Sequence, residues 1–105
     1  MKKLVRDKYL KIIKDSKVEK LDKVKDNFPK YLKEKFHEEV EEAFVEDRVF
    51  KRIEEFADIL TVFKTAIDYF NIDLDDVTKA YEKKEKKFGG FKDFVVLNKR
   101  DKDEK

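Results

Sequence analysis

At 105 residues the chain holds one domain's worth of sequence, enough for a core of its own yet small enough to gain from oligomerisation. Half of the residues are charged, but 27 basic against 25 acidic side chains leave a net charge of only +2, which argues against nucleic acid or an anionic membrane as the partner. Ten Phe and four Tyr supply apolar volume that a disordered chain lacks, and the absence of Cys removes disulfides and thiolate metal sites. A Cys-free chain suits a reducing cytosol. The opening Met1-Lys2-Lys3-Leu4-Val5-Arg6-Asp7 carries no apolar stretch of the signal-peptide kind, and no run reaches membrane-spanning length. Cytoplasmic placement is therefore the expectation.

With two Gly and one Pro, turns must be few and helices long. Leu10, Ile12 and Ile13 support a short first helix over Arg6 to Lys14. Residues 17–26, with Val18, Leu21 and Val24 among Lys and Asp, read as an irregular or extended connection. Asp26 or Asn27 can cap a second helix, and Pro29 is tolerated in a first turn whose amides lack helical partners. From Phe28 to about Asp47, Leu32, Phe36, Val40, Ala43 and Phe44 repeat at helical spacing.

After a break near Glu46-Asp47-Arg48, a third helix is predicted over roughly Phe50 to Phe70. Its apolar arc includes Ile53, Phe56, Ile59, Leu60, Phe63 and Ile67, wide enough to be buried on more than one side. That breadth implies a homodimer or higher homo-oligomer. Asp73 caps a fourth helix carrying Leu74, Val77, Ala80 and Tyr81, and Gly89-Gly90 should stop it. Residues 91–97 form a short apolar tail, and residues 98–105 are charged and expected to fray. The fold class is all-α: a bundle of about four helices in one domain, 1–97, with a charged tail, its core completed by oligomerisation.

Charge is not spread evenly. Residues 34–58 hold ten acids against four bases, whereas residues 1–33 hold twelve bases against five acids. Within the acidic centre, Glu39 and Glu42 are three apart on the second helix, and Glu55 and Asp58 are three apart on the third, so each pair shares a helix face. If both faces point inward, four carboxylates converge, and such like charges repel unless a cation lies among them. Hard oxygen ligands suit Mg²⁺ or Mn²⁺ rather than zinc. Asp58 stands between Ala57 and Ile59 in the most apolar stretch of the chain, where a lone carboxylate is expensive to bury. The bland alternative is a pair of solvated acidic helix faces.

The pattern Glu-x-x-Glu, twelve intervening residues and Glu-x-x-Asp resembles the metal-binding signature of the all-α nucleotide pyrophosphohydrolases, which include the MazG-like proteins and phosphoribosyl-ATP pyrophosphohydrolase. Lys3-Leu4-Val5-Arg6-Asp7-Lys8 resembles the opening of one MazG-like subgroup, and Lys83 to Leu97, with Lys87-Phe88-Gly89-Gly90-Phe91, resembles its close. The subgroup usually continues its opening with Ile-Pro, where this chain has Tyr9-Leu10, and usually has Arg before Gly-Gly, where this chain has Phe88.

The resemblance implies hydrolysis of a nucleoside triphosphate or related nucleotide to monophosphate and pyrophosphate, with Mg²⁺ or Mn²⁺ as cofactor. Glu39, Glu42, Glu55 and Asp58 would be metal ligands, and Glu38 a further ligand or the group that orients or deprotonates water. Arg6, Lys8, Lys83 and Lys87 would contact phosphate. Each has a plainer reading: Arg6 and Lys8 as surface ion pairs, Lys83 and Lys87 as parts of a solvated lysine-rich face. Glu41, Glu54 and His37 are expected to face solvent, and Phe63, Phe70 and Tyr81 to be core or to stack on a base. A non-catalytic helical protein whose acidic face binds a basic partner or structural ions is the competing function.

Overall fold

A computed structural model describes residues 2–11, 19–23 and 25–98 of the chain. Among them the protein is all-α, with three α-helices: α1 (Phe28–Val45), α2 (Val49–Tyr69) and α3 (Leu74–Phe88). The expected first helix is represented by a 3-10 segment, Asp7–Lys11, opened by a hydrogen bond from Tyr9 N to Arg6 O of 2.9 Å. Residues 12–18, where that helix was expected to continue, lie outside the described residues, as does the charged tail from residue 99. The chain divides into two compact units, Met1–Ile72 and Asp73–Lys105.

The first unit is built on an antiparallel pair, α1 and α2. The three-residue link between them, residues 46–48, is held by its own ion pair: Glu46 Oε2 accepts from Arg48 N at 3.0 Å and from Arg48 Nε at 2.9 Å. That clasp holds the Glu46 carboxyl down to about 2 and turns the chain with no glycine. Near the turn, Arg52 Nε donates to the backbone oxygen of Ala43 at 2.9 Å, satisfying a carbonyl at the end of α1. At the far end, the Phe28 and Tyr69 rings meet with centroids 5.4 Å apart. Leu32 and Ala43 are the buried apolar residues between these ends, Ala43 with no exposed surface.

The cap of α1 differs from expectation. Asn27 does precede α1, but in the left-handed conformation (φ 53°) and without a side-chain cap. The Asp26 carboxylate instead accepts from Asp22 N at 2.8 Å, closing the turn before the helix. At the same end of the pair, α2 stops on Asn71 in the left-handed region (φ 59°), with Asn71 N bonded to Asp68 O at 3.0 Å and Ile72 N to Ile67 O at 2.8 Å. This is the paired-carbonyl stop usually built on glycine, a role asparagine can also fill.

In the second unit, α3 follows the sequence closely. Asp73 caps it, accepting from Asp75 N at 2.9 Å. Asp75 and Asp76 in the first turn and Lys86 and Lys87 in the last complement the helix dipole, and Gly89 (φ 77°) ends it. The apolar side chains of Phe91, Phe94, Val95, Val96 and Leu97 are exposed.

Candidate metal centre

On α1 the side facing α2 is not the whole apolar stripe. Leu32 and Ala43 are buried, whereas Phe36 and Phe44 are exposed, and Glu39 takes an inward position at 5% exposure. Leu32, Glu39 and Ala43 are seven and four apart, one continuous edge of a helix. Across from them on α2 stand Glu55 and Asp58, half-buried, and one turn further Val62. A charged residue is thus built into the contact between the helices.

Two sets of carboxylates converge as a result. Glu38, Glu39 and Glu42 form one, Glu39, Glu55 and Asp58 the other, each offering oxygens within 4.8 Å of one another. Glu39 belongs to both. Either cluster could hold a cation, and the donor set, all carboxylate, suits a hard divalent ion. The electrostatics fit that chemistry. Glu39 Oε2 has the Lys35 ammonium at 3.1 Å, but Glu39 Oε1 and Glu55 Oε1 are buried without a hydrogen-bond partner. Burial raises the Glu39 carboxyl pKa; Lys35 opposes this, and the charges of Glu42 and Asp58 reinforce it. Glu42 is raised as well, by desolvation, by a hydrogen bond shared with the Glu55 carboxyl, and by the charge of Glu55 and Glu38. These carboxylates want a positive charge that one lysine supplies only in part.

Glu38 differs from its neighbours. Burial alone would raise it, but hydrogen bonds and charge from Lys3 (3.0 Å) and Lys35 (3.4 Å) outweigh that and hold it below the ordinary carboxylate value. The Lys3 ammonium is raised in turn, chiefly by the same hydrogen bond. The N-terminal segment therefore lies over the carboxylates. Besides Lys3, it delivers Arg6, whose guanidinium pairs with Asp58 Oδ1 and donates to Thr61 Oγ1 at 3.1 Å. Thr61 donates its own proton to Ala57 O at 3.1 Å, so the hydroxyl is oriented to accept from Arg6.

Together these elements enclose a cleft of about 580 Å³. The acids, Lys3, Lys35 and Arg6 line it on one side, and Leu4, Val5, Tyr9, Phe28, Leu32 and Val62 add apolar walls.

All five acids expected at the site, Glu38, Glu39, Glu42, Glu55 and Asp58, line this cleft, and so does Arg6. Lys8 is exposed on the 3-10 segment and is not among the lining residues. Lys83 and Lys87 are exposed on α3 in the second unit, with the Lys87 ammonium 5.3 Å from the Phe88 ring centroid. Glu41, Glu54 and His37 face solvent as expected. The aromatic walls are Tyr9 and Phe28 rather than Phe63, Phe70 or Tyr81. Lys3, Lys35, Thr61, Tyr9 and Phe28 were given no site role from sequence. Of these, only Lys35 left a local signal, three and four residues before Glu38 and Glu39.

Compared with known proteins, the chain matches no family model, no curated protein and no solved structure. Fold and site define a small all-α protein with acidic clusters that could hold a metal. No helix among the described residues is long and apolar enough to cross a membrane.

Proposed function

We propose that the protein is a metal-dependent nucleotide pyrophosphohydrolase of the MazG-like kind, cleaving a nucleoside triphosphate or related nucleotide between its α and β phosphates. The observation that carries this reading is the meeting of Glu39, Glu55 and Asp58 around buried, unpartnered carboxylate oxygens in a cleft that also holds Arg6. The sequence resemblance at the chain's opening, its carboxylate pairs and its close supports the same reaction. A cleft of about 580 Å³ lies within the range of roughly 300–1,000 Å³ usual for small-molecule sites, with acidic and apolar walls for the two halves of a nucleotide.

Glu39, Glu42, Glu55 and Asp58 would hold Mg²⁺ or Mn²⁺, which would neutralise phosphate oxygens and acidify water. Water oxygen would bond to the α-phosphorus as the bond to the bridging oxygen breaks, with pyrophosphate leaving with the electron pair and the water's proton passing to solvent. Glu38, kept ionised by Lys3 and Lys35, is suited to accept a hydrogen bond from that water and fix its direction. Arg6 stabilises charge on the transferring group once phosphate draws it from Asp58. Tyr9 and Phe28 offer apolar faces to sugar or base.

The test is a panel of ribo- and deoxynucleoside triphosphates and phosphoribosyl-ATP, assayed for pyrophosphate with and without Mg²⁺ or Mn²⁺. Turnover abolished by Glu39→Gln and by Asp58→Asn, with helicity retained, is the expected result. A silent panel from folded protein overturns the enzymatic reading and leaves the acidic face as a non-catalytic binding surface.

A further inference from the structure

The segment that precedes the 3-10 turn is held to the helix pair by its side chains. Residues 2–5 are neither helix nor strand, and among the described residues no backbone hydrogen bond ties them to α1 or α2. Lys3 Nζ instead reaches Glu38 Oε2 on α1 at 3.0 Å, and Arg6 pairs with Asp58 Oδ1 and Thr61 Oγ1 on α2. Between these two cations Leu4 and Val5 are half-buried as walls of the cleft. Three extended residues cover roughly 10 Å, about the separation of packed helices, so this one stretch crosses from α1 to α2.

The two cations are shared out between the two carboxylate clusters. Glu38, the partner of Lys3, belongs to the set Glu38, Glu39 and Glu42, whereas Asp58, the partner of Arg6, belongs to the set Glu39, Glu55 and Asp58. We propose that residues 3–6 are a strap that sets one tethered cation on each cluster, shut while the site lacks a divalent ion and displaced when ions bind. The inference rests on the metal-dependent reading of the site given above, and adds to it how the site is opened.

Two observations carry it. The first is that the strap satisfies the carboxylates incompletely. Lys3 and Arg6 engage one carboxylate each, and with both in place Glu39, 5% exposed, still has Oε1 without a partner, as has Glu55. An ion placed among oxygens that lie within 4.8 Å of one another can engage several at once, including those the strap leaves bare. The second is that the strap is lightly held. The Lys3 and Arg6 side chains are 56% and 59% exposed, and ion pairs so accessible to water are readily exchanged. Lys35 differs: it is rooted in α1 and only 19% exposed, so it has no such freedom. Detachment of the strap removes Leu4 and Val5 from the cleft wall, which opens the cleft, and releases Lys3 and Arg6 to meet a phosphate anion there. Ion-free protein is thus closed, and ion-loaded protein is open and armed with two cations.

Amide relaxation measured by NMR on the full-length protein reads the strap directly. Without ions, the Leu4 and Val5 order parameters should lie near the rigid-backbone value of about 0.85, and saturating Mg²⁺ should drop them below about 0.6. NaCl at matched ionic strength should leave them high; equal release by NaCl means simple screening and overturns displacement. Calorimetry with Mg²⁺ is the second arm. Lys3→Ala and Arg6→Ala should each tighten binding by about two- to fivefold, since each removes a competing cation. The double variant should gain less than the product of the two, because losing either cation already loosens the other; a full product means two independent cations and overturns the strap. Neither readout uses turnover. Mg²⁺ binding that leaves Leu4 and Val5 rigid overturns the strap while the metal site stands, and no binding by the parent or the double variant overturns both.

Discussion

Glu39→Gln is the substitution whose effect should reverse with a divalent ion. In the ion-free protein Glu39 is a buried carboxylate with Lys35 on one oxygen and nothing on the other, facing Glu55 Oε1, which is also unpartnered. An unsatisfied buried polar atom costs about 1–3 kcal/mol. The amide removes one charge from the cluster and brings a donor to it, so the variant should be more stable than the parent by about 1 kcal/mol, or about 4–8 °C in Tm for a domain of this size. In Mg²⁺ or Mn²⁺ at a hundred times Kd, the parent gains about 2.7 kcal/mol and the variant, short of a shared ligand, only a fraction of it. The order of Tm values therefore inverts. Thermal unfolding followed by circular dichroism, with EDTA and with each ion, measures it. Equal ion-induced shifts in both proteins, or none in the parent, would refute the assignment of Glu39 as a ligand.

The pH dependence of stability should have two limbs. Because Glu39 and Glu42 are raised above the ordinary 4.5, the folded protein binds more protons than the unfolded chain between that value and their folded pKa values. Ion-free protein should thus gain stability as pH falls from neutrality through those pKa values. Glu38 and Glu46 are lowered, so the stability they contribute is present above 4.5 and lost as pH falls through their folded pKa values, about 2 for Glu46. Denaturant melts across pH should show the acid-side rise, and a saturating divalent ion should abolish it. Arg6→Ala should tighten Mn²⁺ binding by about two- to fivefold, since Asp58 then loses a half-exposed competing cation, while lowering turnover; calorimetry showing weaker binding would count against that competition. Ala43→Leu should cost about 1–3 kcal/mol in urea melts, because no exposed surface remains at that position to take the added volume. Asp73→Ala should remove the bond to Asp75 N and cost α3 about 1 kcal/mol, read as lost helicity at 222 nm.

Much of the secondary structure was legible because it is local. The starts and stops of α1, α2 and α3 lie within a residue or two of expectation, since apolar spacing, Pro29, Asp73 and Gly89 act over one or two turns. The pairing of Glu39 with Glu42 and of Glu55 with Asp58 follows from the helical repeat alone. The caps were less legible. Asp26 and Asn27 are both plausible caps, and the choice between capping α1 and closing a turn on Asp22 depends on where the preceding backbone runs. Of the first helix, expected over Arg6 to Lys14 from Leu10, Ile12 and Ile13, the described part is the 3-10 segment Asp7–Lys11, and the rest lies outside the described residues. It follows a stretch held by Lys3 and Arg6, and those contacts lie outside any local pattern.

The carboxylates show where the division falls. Sequence by itself placed two acidic pairs on two neighbouring helices and gave a chemical reason for a cation. Only the tertiary structure decided that Glu39, not Phe36 or Phe44, turns into the α1–α2 contact, and that Lys3 and Arg6 return from 35 and 52 residues away to Glu38 and Asp58. Helical periodicity fixes which residues share a face, because that is geometry within one element. Which face meets which neighbour, and which distant cation reaches a carboxylate, is settled by packing and charge across the whole chain, and no repeat in the sequence records it.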